Sequence, residues 1–209
     1  MLRNGPAFCN LLRIFSCQYQ TTPLDYAVSV RATYGPHISI QPLQIMIRAG
    51  ILSDTHLRGL NSHFSQVVEQ CFADCDVIIH AGDLTDISIL EIFSDKKVYA
   101  VHGNMCNSST STSLPEKRVF QLNDFTIGLT HGAGLGHDIE SALWDYFPEA
   151  DCMIYGHTHR PVCHHVAKKL IINPGSFQET GRYGAPGTFA ILEAGDTLRA
   201  TIHEVSQRQ

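Results

Sequence analysis

Residues 47–56, Ile-Arg-Ala-Gly-Ile-Leu-Ser-Asp-Thr-His, decide the fold. An apolar run, taken as Ile45–Leu52, passes without transition into Ser53-Asp54-Thr55-His56. That pattern is a buried strand delivering polar side chains directly beyond its carboxyl end. The layout recurs along the chain. Val77–His80 ends in Ala-Gly-Asp, Val98–Val101 in His-Gly-Asn and Phe125–Thr130 in His-Gly. Cys152–Tyr155 ends in Gly-His-Thr-His and Leu170–Ile172 in Asn-Pro-Gly-Ser. Helices are expected near Asn61–Phe72, Asp86–Phe93 and Asp138–Tyr146, the last with Ile139, Leu143 and Phe147 at helical spacing and Pro148 just past its end. Two further strands are expected at Gly187–Leu192 and Thr197–Val205, joined by a hairpin turn at Gly195-Asp196. Asn107–Ser113 reads as a polar Ser/Thr loop. Alternating strands and helices followed by mostly strands predict an α/β fold, a layered β-sandwich flanked by helices rather than a purely parallel sheet.

The composition agrees with a packed domain. The chain has 209 residues, 44% hydrophobic and 17% charged, which excludes wholesale disorder. A net charge of −5 argues against a general nucleic-acid binder, which needs a basic face. No apolar run reaches the roughly 18 residues of a membrane span. The seven Cys have no C-x-x-C pair and read as reduced thiols of a cytoplasmic protein. Residues 1–45 differ from the rest: Arg3, Arg13 and Arg31 stand against a single acid, Asp25, and four prolines interrupt any period. They read as an N-terminal extension of uncertain structure, with Met46 a candidate initiator; a targeting segment for organellar import is the alternative. The working domain is then 46–209.

Sites in open α/β sheets form beyond the carboxyl ends of strands, and five such ends here carry metal-ligand side chains. Asp54 and His56 lie two apart, as do His157 and His159, so in extended chain each pair points to one side. Asp83, Asn104 and His131 each arrive singly beside a glycine. Seven donors exceed the four of one zinc-like ion and suit two ions sharing a carboxylate. Mixed imidazole, carboxylate and amide donors favour Mn, Fe, Zn or Ni over Ca. Two divalent ions less two carboxylates and a bridging hydroxide leave a net positive seat for an anionic phosphoryl group. Ions about 3.5–4 Å apart can activate water and stabilise the leaving oxygen.

In order, Asp54-x-His56, Gly82-Asp83, Gly103-Asn104, His131-Gly132 and Gly156-His157-Thr158-His159 resemble the signature of calcineurin-like metallophosphoesterases. The closer likeness is to their small single-domain bacterial and archaeal branch, which includes the retromer subunit Vps29. It covers about 46–205. The resemblance implies the metallophosphatase fold, with the metal site at the carboxyl ends of the strands. It implies one metal on Asp54, His56, Asp83 and His159 and another on Asp83, Asn104, His131 and His157. Asp83 then bridges, and Asp83, Asn104 and His131 are the catalytic set.

Two places depart from the family pattern. Met105 stands where many members have a general-acid His, which favours esters with good leaving groups such as aryl or cyclic phosphodiesters. Ala133 stands where the branch often has His; His137 on the same Gly-rich loop is taken as a surface residue. His80 and His102 either orient ligands or are simply buried histidines. Arg160 and Arg182 are candidate phosphate contacts.

The reading is a dinuclear metal-dependent phosphoesterase (two ions among manganese, Ni, Zn, Fe or Mg). It hydrolyses small phosphodiesters by attack of a metal-bridging hydroxide. The alternative is a Vps29-like interaction scaffold that retains a metal site, although Vps29 lacks several of the histidines present here. A polymeric nucleic-acid substrate and a membrane partner are not expected, and self-association is left open.

Overall fold

In β1 (Ile47–Leu52) Ala49 and Ile51 face one side of a sheet and Gly50 and Leu52 the other, and all four are buried. The same period of two runs through β2 (Val77–His80), β5 (Phe125–Thr130), β6 (Cys152–Ile154), β8 (Lys169–Asn173) and β9 (Thr188–Ala194). Strands buried on both faces need cover on both faces, so the chain folds in layers. The computed structural model describes residues 45–178 and 185–206, so the expectations for residues 1–44 and for Arg182 lie outside the described residues.

One sheet has the order β10-β9-β1-β2-β3, with β3 at Lys97–Ala100 and β10 at Leu198–Glu204. Its β1, β2 and β3 are parallel, while β9 runs antiparallel to β1 and β10 antiparallel to β9. The second sheet has the order β4-β5-β6-β8-β7, with β4 at Lys117–Leu122 and β7 at Val162–Val166. There β5, β6 and β8 are parallel and the two outer strands antiparallel.

The core between the sheets takes alternate residues from both: Ala49, Ile51, Val77, Ile79 and Leu192 from one, Ile127, Leu129, Ile154, Leu170 and Ile172 from the other. Outside the first sheet, α1 (Ser62–Phe72) buries Phe64, Val68 and Phe72 against Leu52, Ile78 and Ile191. Outside the second, α3 (Ile139–Tyr146) and the following Phe147 cover Met153 and Ile171. Each cover closes on a glycine of the central strands: the Phe72 ring fills the space beside Gly50, and the Phe147 ring that beside Gly128. The helices begin where the sequence places caps, Asn61 accepting from Phe64 N–H (2.8 Å) and Asp138 from Ser141 N–H (3.1 Å).

The differences from expectation are local. Asp86–Phe93 forms a 3-10 helix, Ile87–Phe93, with Asp86 accepting from Ser88 N–H; its three β-branched Ile residues are weak α-formers. The expected loop at 107–113 contains a short helix, α2 (Ser108–Ser113), because Asn107 caps Thr110 N–H and the buried Thr110 hydroxyl accepts from Ile87 N–H. Strand β4, which carries no apolar run, exists by pairing with β5 along its whole length.

Candidate metal centre

The parallel strands of both sheets end along one edge, and backbone pairing continues past them. Asp54 N–H donates to Gly82 O (3.0 Å), His56 N–H to Asp83 O (2.9 Å) and Gly156 N–H to His131 O (3.1 Å). The expectation that Asp54/His56 and His157/His159 sit in extended chain is corrected. Their φ values are 55°, 48°, 67° and 57°, and Asp83 is at 53°. Left-handed geometry costs a non-glycine residue about 1–2 kcal/mol, and such strain collects at functional sites. The side chains still converge, by sharp bends rather than by strand alternation.

Two clusters result. Asp54, His56 and His159 form one; Asp54, Asp83 and His131 form the other. Asp54 Oδ1 lies 3.1 Å from His159 Nε2, 3.9 Å from His56 Nε2 and 4.0 Å from His131 Nε2. His131 Nε2 is 3.2 Å from Asp83 Oδ2, and the His56 and His159 Nε2 atoms are 3.4 Å apart. The carboxylate common to both clusters is Asp54. His157 adjoins them: its N–H donates to Asp54 Oδ2 (3.2 Å), and its ring stands edge-on to that of His131, centroids 5.2 Å apart. Asn104 is exposed and follows Gly103, where a Cβ would collide with the Asp83 carboxylate and the His131 ring.

The electrostatics favour a cation. Burial opposes charge on His131, yet the Asp83 and Asp54 carboxylates hold its pKa above the ordinary imidazole value. The neighbouring Asp54 carboxylate does the same for His159. Burial alone would push the Asp83 carboxyl up, but His131 and the Met105 N–H (2.7 Å) hold it below the usual range. His131 Nδ1 donates to Ala81 O (2.8 Å), so in the neutral ring Nε2 is a bare lone pair facing carboxylates. His131 Nε2 and Asp54 Oδ1 are both buried without a hydrogen bond of proper geometry. An unsatisfied buried polar atom costs about 1–3 kcal/mol. A divalent cation is the group that satisfies both, so these donors fit the metal that the motifs imply.

His80 is fully buried and neutral, its pKa pushed down to about 3 chiefly by desolvation. Nδ1 accepts from Gly82 N–H (3.2 Å), so the Nε2–H donates to Thr55 Oγ1 (3.2 Å). It therefore braces the backbone on either side of the clusters. His102 is half-buried, and among the described residues its ring has no hydrogen bond. Arg160 is exposed beside the site. The sequence marks Asn173–Ser176 only as the polar end of an apolar run, and its side chains do more than end a strand. Asn173 Nδ2 donates to Gly156 O (2.8 Å) and Thr158 Oγ1 (3.0 Å), and the Ser176 hydroxyl to Asp54 O (3.1 Å). The available signal was two polar side chains directly after a fully apolar strand core.

The model of the calcineurin-like phosphoesterase superfamily domain matches residues 47–197. The chain belongs to this superfamily. A probable metallophosphoesterase of Methanocaldococcus jannaschii is 37% identical over 131 residues, 61% of this chain and 66% of its own length. The chain therefore spans just under two thirds of that relative. One from Methanothermobacter thermautotrophicus is 33% identical over 156 residues, 73% of this chain and 90% of its own. Among solved structures, a conserved protein of Streptococcus pneumoniae TIGR4, described as a predicted phosphoesterase, superposes with a TM-score of 0.62 at 24% identity, over 78% of this chain and 94% of that one. Vps29 of Entamoeba histolytica complexed with Zn2+ gives 0.59 at 19% identity, over 77% and 100%. At those identities the likeness speaks for the fold alone. Superfamily and layered fold are those to which the motifs led. Among the described residues, no helix is long and apolar enough to cross a membrane.

Proposed function

We propose that the protein is a dinuclear metal-dependent phosphoesterase acting on small phosphodiesters. Asp54, His56, Asp83, Asn104, His131, His157 and His159 would together hold two divalent ions; the family pattern gives Asp83 to both, whereas the two donor clusters of this structure share Asp54. The observation that carries this reading is the pair of orphaned buried atoms, Asp54 Oδ1 and His131 Nε2, set among histidines at an edge open to solvent. When bound, such ions supply an acidified water and positive charge for the phosphoryl oxygens.

The chain's own residues orient and hold. The Ala81 carbonyl fixes the His131 tautomer and aims its Nε2 inward. Met105 N–H and the His131 ring hold Asp83 as a carboxylate. His80 and Asn173 brace the loops that carry Asp54, Asp83 and His157. Met105, exposed and without a titratable proton, stands where a general acid would serve the leaving oxygen. That favours substrates whose alkoxide leaves without protonation, aryl or cyclic phosphodiesters above all.

The test is hydrolysis of bis(p-nitrophenyl) phosphate after reconstitution with Mn, Ni, Zn or Mg. Turnover should depend on the metal, and Asp83→Ala or His157→Ala should lose both activity and bound ion. Unchanged turnover in those variants would defeat the proposal. Metal uptake with no turnover in any combination would instead favour the Vps29-like scaffold.

A further inference from the structure

Next to His157, between the start of α3 and the loop leading into β7, lies a cavity of about 510 Å³ lined by His137, Asp138, Glu140, Tyr155, Thr158 and Arg160. His157, which adjoins the clusters, also lines it, and it is larger than a phosphoryl group needs. Its two carboxylates, Asp138 and Glu140, stay charged but each already has a donor beside it. Asp138 accepts both the N–H (3.1 Å) and the hydroxyl (2.6 Å) of Ser141. Glu140 accepts from the Tyr155 hydroxyl (3.0 Å) and faces His164 Nε2 at 3.0 Å. The donors, by contrast, are unspent. Among the described residues the Arg160 guanidinium and the His137 ring have no partner. Thr158 Oγ1 accepts from Arg160 N–H (3.3 Å) and Asn173 Nδ2, which leaves its own proton to give. The unspent donors of this cavity, the Arg160 guanidinium foremost, suit an acceptor-rich, anionic group held on the Arg160 side, away from the charged Asp138 and Glu140.

We propose that this cavity receives one alcohol arm of the phosphodiester, that the arm carries a second anionic group, a phosphate or a carboxylate, and that Arg160 is the residue that selects it. The proposal rests on the phosphodiesterase reading above and deepens it.

The experiment compares p-nitrophenyl phosphodiesters whose other arm is ethyl, 2-carboxyethyl or 2-phosphoethyl, with the metal-loaded full chain. In parallel, calorimetry measures binding of the matching non-hydrolysable phosphonate monoesters. An anionic arm should be preferred over ethyl by roughly tenfold or more, chiefly in KM and in binding, as a charge-assisted contact to Arg implies. In Arg160→Gln the ratio of anionic to ethyl arm should collapse towards one while bound metal is unchanged, and Arg160→Lys should restore part of it. The arm preferred by the wild type distinguishes phosphate from carboxylate. Equal binding of all three arms, or a preference that survives Arg160→Gln, overturns the proposal. Failure of the phosphodiesterase reading looks different: no turnover of the ethyl diester, with the binding ratios still readable.

Discussion

His159 Nε2 stands 3.1 Å from Asp54 Oδ1, and that contact ties the loop after β6 in one sheet to the end of β1 in the other. The sandwich interior between these strands is wholly apolar, so the open edge is where the polar ends of both sheets can meet. Because the same oxygen also faces His56 and His131, Asp54 lies within both cation-sized clusters.

Asp54→Asn keeps the side chain's size and removes its charge. Outer residues around a metal typically cost 10–100-fold when changed, so a carboxylate common to both clusters should cost more than about 100-fold in metal affinity and in diester hydrolysis. Stability of the metal-free protein should fall only modestly, since the attraction of Asp54 for His131 and His159 is lost while a buried oxygen without a hydrogen bond no longer carries charge. Metal titration and urea unfolding in chelator check both halves. Undiminished metal affinity would remove Asp54 from the site.

His80 makes stability sensitive to acid. Its folded pKa is pushed down to about 3, against 6.5 for an ordinary imidazole. Below pH 6.5 the unfolded chain takes up a proton that the folded chain refuses, so this contribution is complete above pH 6.5 and is lost as pH falls towards 3. The slope is about 1.4 kcal/mol per pH unit within that window. Urea unfolding at pH 7.5 and pH 5 should show a steeper loss for the wild type than for His80→Gln. Identical slopes would mean that His80 titrates normally in the fold.

Asn173 tests whether the Gly-His-Thr-His loop is held from behind. In Asn173→Ala the buried Gly156 carbonyl loses its donor and Thr158 loses a partner. Metal affinity should drop by about 10–100-fold, as for other residues that orient ligands, and stability by about 1–3 kcal/mol. A stability loss with unaltered metal affinity would make Asn173 a structural residue only.

The doubly buried strands were legible because every residue of a run such as Val77–Ile79 is apolar and the run stops abruptly at polar residues. The edge strand β4 was not, although the edge strands β3 and β10 of the other sheet were expected. In β4 only Phe120 and Leu122 are buried, and β7 carries His164 and His165 to solvent, as edges protected against aggregation do. The Asn107–Ser113 helix depends on a cap and on Thr110 reaching Ile87, a tertiary contact that no local propensity records. The site's residue types and their order could be read directly, since each follows a strand end. Its backbone could not: D-x-H is the same string whether extended or left-handed, and only the packed edge selects the bends. His80 stood open between two roles until its burial and its two hydrogen bonds were visible.

Gly103 offers the sharpest steric test of the centre. A Cβ there would collide with the Asp83 carboxylate and come within 2.6 Å of His131 Cδ2 and 2.7 Å of Asp83 N, all parts of the structure that cannot swing away. Gly103→Ala should therefore displace Asp83 or His131, destabilise the fold by about 1–3 kcal/mol as overpacking does, and lower bound metal. Gly59→Ala is the control, because nothing lies within 4 Å of a Cβ built there. It should leave stability within about 0.5 kcal/mol of wild type, as surface changes do. Elemental analysis and urea unfolding of the two variants read the difference. If Gly103→Ala retained full metal content and stability, the close approach of the β3 end to Asp83 would have no part in shaping the centre.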